Sequence, residues 1–210
     1  MEFTHLHVHT EYSLLDGSNK IKEYVARVKE LGTDSAAITD HGVMYGVIDF
    51  YRAAREAGIN PILGCEVYVA PGSRFDREVG SGDDRYYHLV LLAENNQGYQ
   101  NLMKIVSKSF KEGFYYKPRV DHELLEKYHE GIIALSACLA GEVARYLVRG
   151  MYEDAKIAAL RYQDIFGKGN FFLELQDHGI PEQQTVNQAL MRMSQETEIE
   201  LVATNDIHYT

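Results

Sequence analysis

Short apolar runs alternate with amphipathic stretches along nearly the whole of this chain, and that alternation limits the folds open to it. Strands are predicted at Phe3–His9, Ser35–Thr39, Ile62–Ala70, Tyr86–Ala93, Gly131–Ser136, Asn170–Gln176 and Glu200–Thr204. Helices are predicted between them. In the first, Ile21, Val25, Val28 and Leu31 recur at helical spacing, and Gly32 closes the stretch. Further helices are expected at Tyr45–Ala57, Asn95–Lys111, a short one capped by Asp121, about 141–149, Tyr152–Phe166 and Pro181–Thr197, the last with proline in its first turn. About seven strand–helix repeats imply a parallel sheet with helical crossovers, either an open doubly wound sheet or a closed barrel. A length of 210 residues suits one domain of barrel size.

The first predicted strand carries the chemistry. In Phe3-Thr4-His5-Leu6-His7-Val8-His9, a period of two sends three imidazoles to one face and Leu6 and Val8 to the other. Folding stability asks for no such triplet, and neutral imidazole is the commonest metal ligand among side chains. Other metal-binding residue types follow the ends of later strands: His41, Glu66, Cys138, Asp206 and His208, with Asp16 in a turn and His88 inside a strand. Each has an ordinary reading alone. His88 suits a hydrogen-bonded core histidine, Cys138 a small buried residue, and Asp16 and Asp206 turn positions. Together they form an N, O and S donor set suited to zinc, manganese or iron. In a barrel the strand ends meet at one mouth, whereas in an open sheet they spread along an edge, so the scatter of these residues favours a barrel.

Composition narrows the partners. Lysine and arginine number 21 against 31 acidic residues, a net charge of −10, which argues against a free-standing nucleic-acid binder and leaves room for bound cations. Two cysteines make no disulfide framework and point to a reducing cytoplasm. No signal-peptide pattern opens the sequence, and no apolar run approaches the ~18–20 residues of a membrane span.

Several segments taken together resemble the PHP (polymerase and histidinol phosphatase) superfamily. These are His5 to Gly17, Ile38-Thr-Asp-His-Gly42, Pro61-Ile-Leu-Gly-Cys-Glu66, Gly98-Tyr-Gln-Asn-Leu102, Leu135-Ser-Ala-Cys-Leu139 and Ala203 to Tyr209. The middle segments resemble the polymerase branch, the N-terminal PHP domain of bacterial DNA polymerase III alpha subunits. The resemblance implies a distorted seven-stranded (β/α) barrel with up to three divalent metals at its C-terminal mouth. One metal would be held by His7, His9, Glu66 and Asp206. A second would share Glu66 and add His88 and Cys138, and a third would take Asp16, His41 and His208. His5 is expected as an outer donor and His178 as a residue facing the mouth. These metal ligands would be the catalytic residues of a metal-dependent 3′–5′ exonuclease or phosphoesterase acting on DNA 3′ ends.

A stretch rich in tyrosine and basic residues, Phe114 to Arg119, offers Tyr116, Lys117 and Arg119 for stacking bases and holding phosphate. A tyrosine-rich loop packed on the barrel accounts for the same residues. Pro71 to Arg85, with three glycines and mixed charge, is expected as a mobile loop long enough to be a lid. Two other functions compete with the exonuclease: a metal-stabilised structural or docking module of a polymerase, and a small-molecule phosphatase. The polymerase resemblance makes residues 1–210 a single PHP domain from the start of a longer chain, partnered by the rest of that chain and by replisome subunits, in the cytoplasm and off the membrane.

Overall fold

The computed structural model describes residues 3–78 and 85–209. A short 3-10 segment, Glu11–Asp16, precedes α1 (Ile21–Glu30), β1 (Ser35–Ile38), α2 (Val47–Ala57) and β2 (Asn60–Val69). Then come β3 (Tyr87–Ala93), α3 (Asn96–Lys111), β4 (Arg119–Val120), α4 (His122–Lys127) and β5 (Ile132–Leu135). The chain ends with α5 (Glu142–Val148), α6 (Tyr152–Phe166), β6 (Phe171–Leu175), α7 (Pro181–Thr197) and β7 (Leu201–Ala203). Local chemistry sets the helix starts. The Asn95 side chain accepts from the Gly98 amide, Asp121 accepts from the Leu124 amide, and Pro181 supplies the first turn of α7.

The strands form one curled sheet in the order β1-β2-β3-β5-β6-β7, with β4 beside the end of β2. An all-parallel sheet was the expectation, and β3 departs from it. It runs antiparallel to both β2 and β5, while β1/β2, β5/β6 and β6/β7 are parallel. Among the described residues no helix lies between β2 and β3, and a pair joined without a helical crossover runs antiparallel.

The predicted first strand is also different. Residues 5–10 form no ladder but lie between β1 and the segment after β7. The Thr39 amide donates to the Val8 carbonyl, the Ile207 amide to the His7 carbonyl and the His9 amide to the Ile207 carbonyl. The segment thereby joins the two ends of the sheet and closes it into a distorted (β/α) barrel. Its apolar pair does not share a face. Val8 packs with α1 and α2, while Leu6 packs inside the barrel. The count of seven strands is met by β4, a two-residue strand that hydrophobic patterning does not reveal.

Alternate residues of each strand face the helices or the interior. Cys65, Val67, Leu89, Leu91, Ala134, Phe171 and Leu173 join the outer core beneath α3 to α7. Val90, Leu92, Leu135 and Ala137, with Leu6, Ile62, Ile133, Phe172 and Val202, plug the interior. Gly64 lies among them, where a Cβ would stand 2.4 Å from the Leu91 carbonyl oxygen. Above the plug, the inward positions turn polar: Glu66 follows Ile62 and Gly64 on β2, and Glu174 follows Phe172 on β6. Because β3 is reversed, its first residues, including His88, arrive at that same end.

The described part of the expected lid is anchored. Arg74, 7% exposed, pairs with Asp121 and Glu112, and Arg77 donates to the Arg74 and Glu112 carbonyls. Residues 79–84 of that segment lie outside the described residues.

Candidate metal centre

Glu66 is the hub of the mouth. Its Oε1 lies 3.2 Å from His7 Nε2 and 3.1 Å from His88 Nδ1. Its Oε2 lies 3.4 Å from His9 Nε2 and also meets His41 Nδ1. Asp206 faces it across the site. Its Oδ1 is 3.2 Å from both His7 Nε2 and His9 Nε2, and 3.1 Å from His208 Nε2. Asp16 Oδ2 is 2.6 Å from His41 Nε2, and Cys138 Sγ is 3.8 Å from His88 Nδ1. The structure therefore brings all nine sequence-predicted residues into one cluster. The rings of His41 and His208 stack on His9 at 4.0 and 4.4 Å.

The backbone is bent to make these approaches. Asp206 has φ +46°, Ala137, just before Cys138, has φ +66°, and Leu14, two residues before Asp16, has φ +56°. Left-handed backbone at non-glycine residues costs on the order of 1–3 kcal/mol each and concentrates at functional sites. Leu14 and Leu15 stand exposed at the rim beside Asp16.

The donor set fits divalent cations. His7 Nε2, His9 Nε2, His41 Nδ1, Glu66 Oε2 and Asp206 Oδ1 are buried without a hydrogen-bond partner. Each such atom costs roughly 1–3 kcal/mol if left unsatisfied. The separations of His7 Nε2 and His9 Nε2 from the Glu66 and Asp206 oxygens, 3.2–3.4 Å, match the ~3.3–3.4 Å between two ligands of a tetrahedral ion bonded at ~2.0–2.1 Å. Three overlapping triads are close enough to hold an ion: His7, His9 and Glu66; His41, Glu66 and His88; His9, His41 and His208. The first holds three of the four residues of the expected first set, without Asp206. In the second, His41 stands nearer Glu66 and His88 than the expected partition has it. In the third, His208 Nδ1 lies 2.6 Å from the Asp16 carbonyl oxygen, so its Nε2 faces Asp206.

The electrostatics agree. Burial opposes charge on His7, yet Glu174, Asp206 and Glu66 together raise its pKa well above the usual value. The same contest raises His41, through Glu66 and Asp16. For His9 burial wins and the pKa falls. The Asp206 carboxylate, 3.1 Å from its Nε2, leads the rise of His208 to about 9. Glu66 and Asp206 are held below the carboxylate range, because neighbouring histidines outweigh their burial. Burial, with Glu66 and Asp206 nearby, raises the Cys138 thiol to about 12, so it needs a cation to become a thiolate ligand.

Behind these residues are groups that sequence reading missed. His7 Nδ1 is 2.6 Å from Glu174 Oε1, which also takes the Gln176 amide at 2.9 Å and the Thr204 hydroxyl. His9 Nδ1 meets Ser13 Oγ at 2.9 Å, and Ser13 donates to the buried Asp40. The Tyr68 ring stands 5.4 Å from His88 and 6.2 Å from His41. The outer role expected of His5 falls to Glu174. His5 packs edge-on against Phe3, and its buried Nδ1 makes no hydrogen bond.

The four expected substrate residues divide. Tyr116 is 64% exposed, with the Arg85 guanidinium 4.7 Å from its ring centre. Lys117 Nζ lies 5.5 Å from the Tyr68 ring centre, one ring away from His41 and His88. Arg119 is not available to substrate. It is 2% exposed, and its guanidinium donates to the carbonyls of Gly113, Arg74 and Asp76. His178 sits beside the mouth with both ring nitrogens engaged, one with the Asn205 carbonyl and the other with the Gln183 amide, and so offers no free nitrogen to a substrate.

Comparison with known proteins converges on one family. Residues 5–178 match the PHP domain. The chain is 48% identical over 209 residues to DNA polymerase III subunit alpha of Treponema pallidum, covering all of this chain and 18% of that protein. It spans less than a fifth of the length of the curated relatives it matches. Among solved structures, an amidohydrolase from Chromobacterium violaceum superposes with TM-score 0.61 at 14% identity, covering 98% of this chain and 87% of the other. A two-domain Bacteroides vulgatus protein containing a predicted PHP-like metal-dependent phosphoesterase superposes with TM-score 0.56 at 12% identity, over 98% of this chain and 52% of that one. Among the described residues no helix is long and apolar enough to cross a membrane. The shared fold, the histidine–carboxylate mouth and a match over most of its length agree: the chain belongs to the PHP domain family.

Proposed function

We propose that this chain is the PHP domain of a replicative DNA polymerase alpha subunit and hydrolyses phosphodiesters at DNA 3′ ends. The observation that carries this reading is the convergence of Glu66 and Asp206 on His7, His9, His41, His88 and His208, with buried donor atoms that make no hydrogen bond. Zinc, manganese or iron suits that donor set. One ion would be held by His7, His9, Glu66 and Asp206, a second by Glu66, His88 and Cys138, and a third by Asp16, His41 and His208. Bound there, such ions supply Lewis acidity toward a phosphate oxygen and make water a better nucleophile at neutral pH.

The chain's own residues do the rest. The apolar plug beneath Glu66 denies water a route from below, and Glu66 and Asp206 stay ionised at neutral pH. Lys117 carries positive charge to the rim, where the phosphate of the preceding nucleotide would lie, and exposed Tyr116 offers a ring for a base. No protein nucleophile is required, and the protonated Cys138 thiol is a poor one. The partners are the DNA 3′ end, the rest of the polymerase and other replisome subunits, and the compartment is the cytoplasm.

A second reading, a metal-stabilised structural or docking module, draws on the net charge of −10, which disfavours tight DNA binding by this domain alone. One experiment separates the two: metal content by elemental analysis, with degradation of 3′-labelled single-stranded DNA by wild type and His9→Ala. Bound metal with 3′–5′ degradation that His9→Ala abolishes is the expected result. Degradation that survives complete removal of metal would sink the exonuclease reading.

A further inference from the structure

Glu174 was not among the residues the sequence singled out, and it makes no direct approach to Glu66 or Asp206. Its place is behind His7. It is 3% exposed, at the polar end of the inward face of β6, and its amide is tied to Ser136 Oγ at 2.8 Å. Its Oε1 faces three groups at once: His7 Nδ1 at 2.6 Å, Gln176 Nε2 at 2.9 Å and the Thr204 hydroxyl. We propose that Glu174 is a positioning residue of the metal centre: it holds the His7 proton on Nδ1 and leaves the Nε2 lone pair facing Glu66 and Asp206.

The geometry carries this in three steps. Glu174 Oε1 already acts as the acceptor for Gln176 Nε2 and the Thr204 hydroxyl, so the ring nitrogen 2.6 Å from it is a third donor and carries a hydrogen. With the proton on Nδ1, the neutral ring has its one lone pair on Nε2. That atom lies 3.2 Å from both Glu66 Oε1 and Asp206 Oδ1, and it has no hydrogen-bond partner of its own. The ring is therefore fixed in orientation before any cation arrives, with Nε2 as the nitrogen that gives up its proton to the cation. Without Glu174, Gln176 Nε2, 3.4 Å from Nδ1, would be the nearest polar group. An amide N–H favours the opposite tautomer, with the proton on Nε2, where it would block a metal. The neighbouring ligands show the same device with neutral acceptors: Ser13 Oγ on His9 Nδ1, and the Asp16 carbonyl on His208 Nδ1. Outer partners of this kind are typically worth ~10–100-fold in metal affinity.

The proposal rests on the metal-centre reading, and its test keeps the two apart. Zinc ion is titrated into wild type, Glu174→Leu and Thr204→Val against a competing chelator, with thermal melts of each metal-free protein. Thr204→Val also removes a buried partner of Glu174 but leaves the His7 contact. Glu174→Leu should bind zinc ~10–100-fold more weakly, while Thr204→Val melts lower yet binds zinc as wild type does. Equal zinc affinity in Glu174→Leu and wild type overturns the role of Glu174. Equal losses in the two variants reduce it to general stability and overturn it too. A wild type without zinc affinity overturns the metal reading instead. Should Glu174→Leu not fold, long-range nitrogen–proton NMR of zinc-loaded wild type decides: a His7 proton on Nδ1 supports the proposal, and zinc on Nδ1 refutes it.

Discussion

Protons and cations compete for the same nitrogens at this mouth, and the competition sets a pH dependence. His7, His41 and His208 have pKa values raised above 6.5 in the folded chain, His208 to about 9. Without metal, their contribution to stability is complete below about pH 6.5 and is lost as pH climbs through about 9. Glu66 and Asp206, lowered from 4.5 and 3.8, contribute above those values and lose their contribution on further acidification. The metal-free chain should thus be most stable near pH 5–6.5 and weaken toward pH 9. Metal binding displaces those protons, so zinc affinity should rise across that interval. Urea melts with chelator from pH 5 to 9, paired with zinc titrations, check both slopes. Metal-free stability that grows from pH 6.5 to 9 would contradict the charge assignment.

Among the elements, the short β4 and the turn before it separate structure from binding. Arg119 lies two residues from Lys117, and the two should behave in opposite ways. Truncating Arg119 to alanine removes three hydrogen bonds, to the Gly113, Arg74 and Asp76 carbonyls, a loss of about 3 kcal/mol, with zinc and DNA binding per folded molecule unchanged. Lys117→Ala should leave the melt in place and weaken single-stranded DNA binding with a shallower salt dependence. A stable Arg119→Ala with poor DNA binding would restore Arg119 to the substrate track. A basic residue beside tyrosines looks alike whether its guanidinium faces solvent or folds back on loop carbonyls, and only the conformation of residues 74–76 decides. The helices were legible to within about two residues, because caps and apolar spacing are local signals. The direction of β3 was not, since it depends on what joins it to β2. The nine clustered residues were legible as residue types near strand ends. Glu174 was not, although Phe172 and Glu174 carry on β6 the same inward change from apolar to acidic that Ile62 and Glu66 carry on β2.

At the scale of the molecule, the barrel is filled from one end by an apolar plug and from the other by histidines and carboxylates. Several buried donor atoms of the mouth make no hydrogen bond, and cations that bind there only in the folded chain must stabilise it. At a free zinc concentration 100 times the dissociation constant, a single site contributes about 2.7 kcal/mol. In a domain of 150–250 residues that raises the melting temperature by roughly 5–10 °C. Calorimetry with zinc and with chelator should show at least this shift, and His9→Ala, which lacks one donor, should show a smaller one. The same shift is expected whether the centre is catalytic or structural, so its size says nothing about turnover. Order of loss does: on titrating chelator into the native protein, a catalytic centre loses nuclease activity in step with the first ion removed, at temperatures well below the melt. Activity that persists until the fold itself is lost would assign the metals to the architecture, and the hydrolysis to something else.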